Sequence, residues 1–257
     1  MPEFNADLLQ YTRLFGLIGY PLSHSFSKKY FTEKFAQAGF NNTHYELFPL
    51  RNITELPQLI CQYPNLCGLN VTIPYKEAVL PYLNALDEGA QTIGAVNTIR
   101  IVEGRLTGYN TDAYGFADTL QTFLTENQAQ PARALILGGG GAAKAVQFVL
   151  NTMGIAYATV SRDAGKGDLS YDQLDCTLLA KALLIINTTP LGMAPHIATF
   201  PDIPYHCISN RHLLYDLVYN PAETRFLQKG LAQGAAVLNG LPMLHAQAEK
   251  AWEIWNK

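Results

Sequence analysis

The chain has 257 residues, of which 48% are hydrophobic and 15% charged, and a formal net charge of -3. That balance belongs to a folded protein and not a disordered one, and the length suits one large domain or two modest ones. A charge so close to zero, without a basic run or interleaved aromatics, excludes an electrostatic case for nucleic acid or an anionic membrane surface, and apolar stretches such as 183–186 fall far short of the roughly 20 residues of a membrane span.

The first residues, Met1-Pro2-Glu3-Phe4-Asn5-Ala6-Asp7, lack the basic and apolar regions of a signal peptide, so a cytoplasmic protein is expected. Short apolar runs alternate with helical periodicity throughout, which predicts an α/β fold. In the first half, strands are expected at 15–18, 44–48, 68–71, 95–99 and 105–109. A helix from about 27 to 38, stopped by Gly39, lies between the first two. Another helix is expected over 113–120. The polar segment 122–131, which ends in a proline, reads as a surface connection, and the composition changes after it.

The second half opens with a buried-type strand at 134–137, then glycines, then a helix over 141–153. Its apolar positions Ala142, Ala145, Val146, Val149, Leu150 and Met153 recur at spacings of three and four, the pattern of one buried helical face. Further strands are expected at 156–160, 183–186, 213–218 and 235–238. The last helix starts near Pro242, a favoured first-turn proline, with an apolar stripe of Leu244, His245, Ala248, Ala251, Trp252 and Trp255. The four cysteines are irregularly spaced, and Cys61 and Cys67 have no second cluster to complete a zinc site. His206 beside Cys207 invites a metal reading, but adjacent residues are expected to point apart. No metal is assigned.

Strand 134–137, turn 138–141 and the helix after it match the opening of a dinucleotide-binding fold, with Gly138, Gly140 and Ala143 in the G-x-G-x-x-A form. Such glycines serve a tight turn, close approach of backbone to pyrophosphate, and helix-on-strand packing, and the helix start offers N–H groups to phosphate. After strand 156–160, an NAD site would be expected to place a carboxylate on the ribose diol, whereas a 2′-phosphate wants arginine. The chain offers Ser161-Arg162-Asp163 and then Lys166. Arg162 can pair bidentately with phosphate and stack on adenine, while Asp163 would offset part of its field. NADP is the expected cofactor.

Two segments carry proton chemistry. Asn70-Val71-Thr72-Ile73-Pro74-Tyr75-Lys76 and Asn110-Thr111-Asp112 each set one ionisable group among small hydrogen-bonding residues. A lysine and an aspartate so placed suit proton transfer to and from a hydroxyl or carbonyl, which is what an alcohol dehydrogenase needs beside its nucleotide. Ser25 and Ser27 precede the first helix and Asn97 sits in Gly94-Ala95-Val96-Asn97-Thr98. These hydroxyls, amides, one cation and one anion suit a small polyhydroxylated carboxylic acid. Simpler roles stay open: Asp112 could cap the helix from 113, and the serines could cap the helix from 27.

Taken with Asn187-Thr188-Thr189-Pro190-Leu191-Gly192-Met193, 216–221 and 239–244, the order of motifs resembles the shikimate dehydrogenase family over nearly the whole chain. The resemblance implies reversible, NADP-dependent reduction of 3-dehydroshikimate to shikimate in aromatic amino-acid biosynthesis. It implies an N-terminal α/β substrate domain over 1–111, completed by the C-terminal helix 240–257, and a Rossmann-type domain over 112–239, with the active site in the cleft between them. Lys76 and Asp112 would be the catalytic pair. Ser25 and Ser27 would hold the carboxylate; Asn70, Thr72, Asn97 and Gln247 the hydroxyls, with Tyr219 nearby. Gly138, Gly139, Gly140, Gly141, Ala142, Ser161, Arg162, Lys166, Leu217 and Gly240 would contact the cofactor. Lys28 and Tyr30 depart from the family pattern and add a charge near the substrate entrance; Ser161 and Asp163 depart from it around Arg162. A quinate or shikimate enzyme using NAD, and a sensor that binds the ligand without catalysis, are the alternatives. A monomer or a homodimer fits equally.

Overall fold

A computed structural model describes residues 4–22 and 26–257. The chain forms two compact units, one of Met1–Thr111 with Ala248–Lys257 and one of Asp112–Gln247.

The first unit contains β1 (Arg13–Gly19), α1 (Phe26–Gln37), β2 (Thr43–Pro49), α2 (Leu56–Gln62), β3 (Leu66–Val71), α3 (Tyr75–Ala78), β4 (Ala85–Leu86), α4 (Glu88–Ile93), β5 (Thr98–Val102) and β6 (Arg105–Tyr109). Its six strands lie in the order β2-β1-β3-β5-β6-β4. β1 is parallel to both β2 and β3, whereas β5 runs antiparallel to β3 and β6. Apolar side chains cover both faces, because β1 reads Leu14-Phe15-Gly16-Leu17-Ile18 without a polar alternate, the pattern of a doubly covered parallel strand. Leu14, Ile18, Leu69, Val71 and Ile99 pack to one side. Phe15, Phe31, Phe35, Tyr45, Ala251 and Trp255 pack to the other. Trp255 anchors the chain's end there by donating its indole N–H to the Ile99 carbonyl at 2.9 Å.

The second unit contains α5 (Thr111–Glu126), whose first residue still belongs to the first unit, then β7 (Arg133–Leu137), α6 (Gly141–Thr152), β8 (Ala156–Val160), α7 (Cys176–Lys181), β9 (Leu184–Asn187), β10 (Leu213–Asp216), α8 (Arg225–Leu231), β11 (Ala236–Leu238) and the first half of α9 (Leu241–Trp255), which belongs to the first unit from Ala248 onward. All five strands are parallel, in the order β11-β10-β9-β7-β8. This is a doubly wound sheet whose first strand, β7, lies between the second and third, an order shared with flavodoxin-like folds. The buried face of α6 consists of Ala143, Ala145, Val146, Val149 and Leu150.

Several elements differ from expectation. Residues 122–126 are helical and not a connection, because Phe123 and Leu124 extend the buried stripe of Phe116 and Leu120. The strand expected at 95–99 starts at Thr98, since Val96 N–H donates to the Lys76 carbonyl and leaves the ladder. On α9 the buried stripe is Met243, Gln247, Ala248, Ala251, Ile254 and Trp255, and His245 is exposed. The stripe is rotated by about one residue, keeping Ala248, Ala251 and Trp255 but burying Ile254 in place of Trp252. His206 and Cys207 do not point apart. A 3₁₀ turn over Tyr205–Cys207 brings both to Cys176 at the start of α7. Cys176 and Cys207 form a disulfide, with Cα atoms 5.1 Å apart, and His206 Nε2 lies 3.7 Å from Cys176 Sγ.

Candidate functional site

Each sheet has a point where its strand order reverses, and several of the nominated residues follow the strands that flank it. In the first unit the reversal lies between β1 and β3, with β2 on one side and β5 on the other. Ligands of open α/β sheets bind outside the carboxyl ends of strands at such a point. Thr72 N–H donates to the Ile18 carbonyl at 2.9 Å and Tyr20 N–H to the Ile73 carbonyl at 3.1 Å, so the segments after β1 and β3 run side by side. Gly19 permits this approach, since a Cβ there would collide with the Thr72 methyl group. Lys76 follows on α3, half-buried, and its carbonyl accepts from Val96 N–H at 2.8 Å. Tyr75 fixes that short helix by donating its hydroxyl to the Leu50 carbonyl at 2.8 Å.

A buried relay joins two of the nominated side chains. The Tyr45 hydroxyl donates to Asn70 Oδ1 at 2.7 Å, and Asn70 Nδ2 donates to Thr98 Oγ1 at 3.2 Å. Thr98 Oγ1 lies 3.2 Å from Thr111 Oγ1. Asn97 Oδ1 accepts the Thr111 N–H at 2.7 Å, and Asn97 Nδ2 donates to Thr111 Oγ1 at 3.0 Å. Burial pushes the Tyr45 hydroxyl well above its ordinary pKa, partly offset by a hydrogen bond from Ser27. The run Tyr45–Asn70–Thr98–Thr111–Asn97 is thereby one connected set. Asn97 also caps the start of α5, so Asp112 lies in that helix's first turn and is not its cap. Tyr45, Thr98 and Thr111 were missed by sequence reasoning. Only Tyr45's place in a strand of alternating pattern hinted at burial, and nothing local gave its partner.

Ser25 lies outside the described residues. Lys28 does not bring an unbalanced charge: its ammonium pairs with Glu46, which also accepts from Leu47 N–H at 2.7 Å and contacts His44 Nε2 at 3.2 Å. Burial opposes ionisation of Glu46, but hydrogen bonds from His44, Lys28 and the Leu47 N–H outweigh it and hold its pKa at about 2.

In the second unit the reversal lies between β7 and β9, where Leu137 pairs with Asn187. The glycine turn leaves one strand and the 188–193 segment the other. Gly138 has φ +108°, a conformation a side chain would strain. Gly139 packs so closely on the Lys166 carbonyl that a Cβ would clash, whereas a Cβ on exposed Gly140 would meet nothing within 4 Å. Gly140 caps α6 without a side chain, so the open space above it faces a helix N-terminus. That space, backed by amide N–H groups, fits a pyrophosphate. Gly141 and Ala142 open the helix beneath it.

Beside this turn, Ser161 Oγ accepts the Asp163 N–H at 3.1 Å. Asp163 does not turn on Arg162. Its carboxylate caps the 3₁₀ turn of Ala164–Lys166, accepting Gly165 N–H at 3.0 Å and pairing with Lys166 Nζ at 3.4 Å. The Gly165 N–H and then Lys166 hold its pKa below the usual carboxylate value. Arg162 is exposed next to it. The set thus fits a 2′-phosphate better than a ribose diol. Gly240 N–H donates to the Val218 carbonyl at 3.1 Å and packs against Leu217, joining two nominated positions. Half-buried Tyr219 follows, its hydroxyl pKa raised by burial. Gln247 is buried and donates to the Leu244 carbonyl at 3.0 Å.

Asp216 and Asn187 support this edge and were not nominated. Asn187 Nδ2 donates to Asp216 Oδ1 at 2.9 Å, and Asn187 Oδ1 accepts from Thr189 N–H and Oγ1 at 3.0 and 2.6 Å. Asp216 also accepts from Val218 N–H at 3.0 Å and Thr224 Oγ1 at 2.5 Å. Burial lifts its pKa to about 6, against these hydrogen bonds. A separate depression on the β5–β6 hairpin, lined by Arg100, Val102, Glu103, Arg105 and Thr107, contains none of the nominated residues.

Residues 17–99 match the family model described as the shikimate dehydrogenase substrate binding domain. A protein of Carboxydothermus hydrogenoformans named shikimate dehydrogenase (NADP(+)) is 39% identical over 263 residues, covering 95% of this chain and 91% of the relative. The crystal structure of shikimate dehydrogenase from Aquifex aeolicus superposes with a TM-score of 0.83 at 33% identity, over 99% of this chain and 94% of that one. Quinate dehydrogenase from Corynebacterium glutamicum, solved in complex with NAD, gives a TM-score of 0.85 at 29% identity, over 95% of this chain and 93% of that one. With relatives of such identity along almost its whole length, the chain belongs to the shikimate dehydrogenase family.

Proposed function

We propose that this chain is an NADP-dependent shikimate dehydrogenase that reversibly reduces 3-dehydroshikimate to shikimate. The geometric observation that carries the reading is the Tyr45–Asn70–Thr98–Thr111–Asn97 relay, which fixes hydroxyl and amide groups beside the strand reversal of the first unit. Such fixed donors and acceptors match a polyhydroxylated ring and reject analogues that leave them unpaired. Ser25 and Ser27 bind the substrate carboxylate. Asn70, Thr72, Asn97 and Gln247 bind its hydroxyls, and Tyr219 is a further substrate-binding residue.

NADPH, when bound, supplies a hydride to the C3 carbonyl carbon. Gly138, Gly139, Gly140, Gly141 and Ala142 would cradle its pyrophosphate, Ser161, Arg162 and Lys166 would take the 2′-phosphate, and Leu217 and Gly240 would make further contacts to the nucleotide. The Lys76 ammonium stabilises charge on the C3 oxygen and delivers the proton; in oxidation its neutral amine accepts it. Asp112 orients Lys76 and holds a substrate hydroxyl. The protein works in the cytoplasm, as a monomer or a homodimer, and needs no nucleic acid. No helix among the described residues is long and apolar enough to cross a membrane.

Initial rates with shikimate and quinate against NADP⁺ and NAD⁺ test this reading. Shikimate with NADP⁺ should give the highest kcat/KM. The similarity to the NAD-bound quinate dehydrogenase makes quinate with NAD⁺ the rival pair. If that pair proves best, the reading fails, and if no pair turns over, the chain is a ligand sensor.

A further inference from the structure

Outside the dehydrogenase site, one group of side chains converges with no part in that chemistry. Cys176, His206 and Cys207 place one ligand atom each within 4.8 Å of one another, the one such histidine, cysteine or carboxylate group found among the described residues. Cys176 starts α7, while His206 and Cys207 occupy the 3₁₀ turn 30 residues later. Leu179, Ile203 and Ile208 pack beneath them in one core, so the two elements are held together by more than the sulfur atoms. Cys176 and His206 are exposed and Cys207 is partly so.

We propose that, with its two cysteines reduced, this cluster binds one thiophilic d¹⁰ cation, zinc(II) being the probe, through Cys176, His206 and Cys207. The proposal rests on the cytoplasmic reading, since a reducing compartment favours metal ligation over a disulfide. Zinc bonds of about 2.3 Å to sulfur and about 2.0–2.1 Å to imidazole nitrogen give a tetrahedral S···N edge of about 3.6 Å. The Cys176 Sγ···His206 Nε2 separation is 3.7 Å. A disulfide has no need of that imidazole, whereas a metal uses it as the third ligand. Exposure leaves the fourth position to water. In the oxidised form both sulfurs are engaged with each other, and the site is closed. A trialkylphosphine opens it: the disulfide takes two electrons and two protons, and phosphine and water become phosphine oxide.

The experiment uses the full chain, reduced with such a phosphine in degassed buffer, and reads zinc against a chromophoric chelator. Cobalt(II) in place of zinc adds a thiolate-to-metal charge-transfer band. One zinc per chain is expected, with the band present in reduced protein and absent after oxidation by a small-molecule disulfide. Cys176→Ser and Cys207→Ser should lose the bound zinc, and His206→Ala should weaken binding by about tenfold or more, as losses around metal ligands do. Cys61→Ser and Cys67→Ser should bind as the wild type does. Absence of zinc binding by reduced wild type overturns the proposal, as does binding that survives in a Cys176→Ser, Cys207→Ser double variant. Should the serine variants misfold, the reduced and oxidised wild type alone decide it. None of these readouts depends on dehydrogenase activity, so failure here and failure of the functional reading are distinct results.

Discussion

Replacing Tyr45 with phenylalanine removes one atom from the relay of the first unit. The ring keeps its stack on Phe31, with centroids 4.8 Å apart at 14°, so apolar burial hardly changes. What disappears is the hydroxyl that donates to Asn70 Oδ1 at 2.7 Å and receives a hydrogen bond from Ser27. Tyr45 is 1% exposed and Asn70 6%, so water does not replace it. Leaving a buried acceptor unpaired costs about 1–3 kcal/mol, and because Asn70 Nδ2 retains Thr98 the lower part, about 1–2 kcal/mol, is expected. Both tryptophans, Trp252 and Trp255, belong to the first unit. Tryptophan fluorescence in urea therefore follows that unit alone. With a slope of about 2 kcal/mol/M the midpoint should fall by about 0.5–1 M, the slope itself unchanged. KM for shikimate should rise about 3–10-fold, equivalent to about 0.6–1.4 kcal/mol of lost positioning. The NADP⁺ dissociation constant should not move, because every lost contact is in the first unit. A midpoint within about 0.2 M of wild type, together with an unchanged KM, would refute the relay.

Other substitutions separate structure from binding. Gly140→Ala places a methyl in open space, so stability should change by less than about 1 kcal/mol while NADP⁺ affinity falls; Gly139→Ala instead meets the Lys166 carbonyl and should lower the melting temperature outright. Arg162→Ala should weaken NADP⁺ far more than NAD⁺ in binding titrations, whereas Asp163→Asn should leave the preference for NADP⁺ in place, because that carboxylate is engaged by Gly165 and Lys166. Acid unfolding should report Glu46. Its pKa is about 2 in the folded protein against an ordinary value of 4.5, so its stabilisation is present above 4.5 and is lost as pH falls from there through 2. Taken in full, that difference is worth about 3 kcal/mol, but solvent screening at partly exposed Lys28 leaves about 1–2 kcal/mol. Asp216 acts in the opposite sense, with its pKa raised to about 6 from 3.8: its contribution is complete below 3.8 and lost as pH rises through 6. Glu46→Gln should therefore flatten the stability curve below about pH 4 and leave the arm between 4 and 6 intact; an unchanged acid arm would refute the pairing.

Much of this was written in local sequence because the chemistry sits at strand ends. Gly138 to Ala142 follow an apolar strand and start a periodic helix, so a short window sufficed to place them. The segments after β1 and β3 were legible for the same reason. Long-range pairing was not. Ser27, Tyr45 and Asn70 come from three separate elements, and only the sheet order β2-β1-β3 makes them neighbours. The convergence of Cys176 with His206 and Cys207 was missed because a separation of 31 residues carries no periodic signal. Helices as short as α4, α7 and α8 show too few turns for an apolar stripe. On α9, spacing alone allowed two neighbouring phases that share Ala248, Ala251 and Trp255, and the helix buries Met243, Gln247 and Ile254 rather than Leu244, His245 and Trp252.

The central claim is that Lys76 moves the proton in a reaction of shikimate with NADP⁺. It is tested by following the formation of reduced nicotinamide in wild type and Lys76→Ala, with NADP⁺ binding measured by titration in both. Wild type should turn over, and the variant should bind NADP⁺ equally well with kcat lower by about 10²–10⁴-fold, the range expected for a lost general acid–base. A variant whose turnover stays near that of wild type would contradict the assignment.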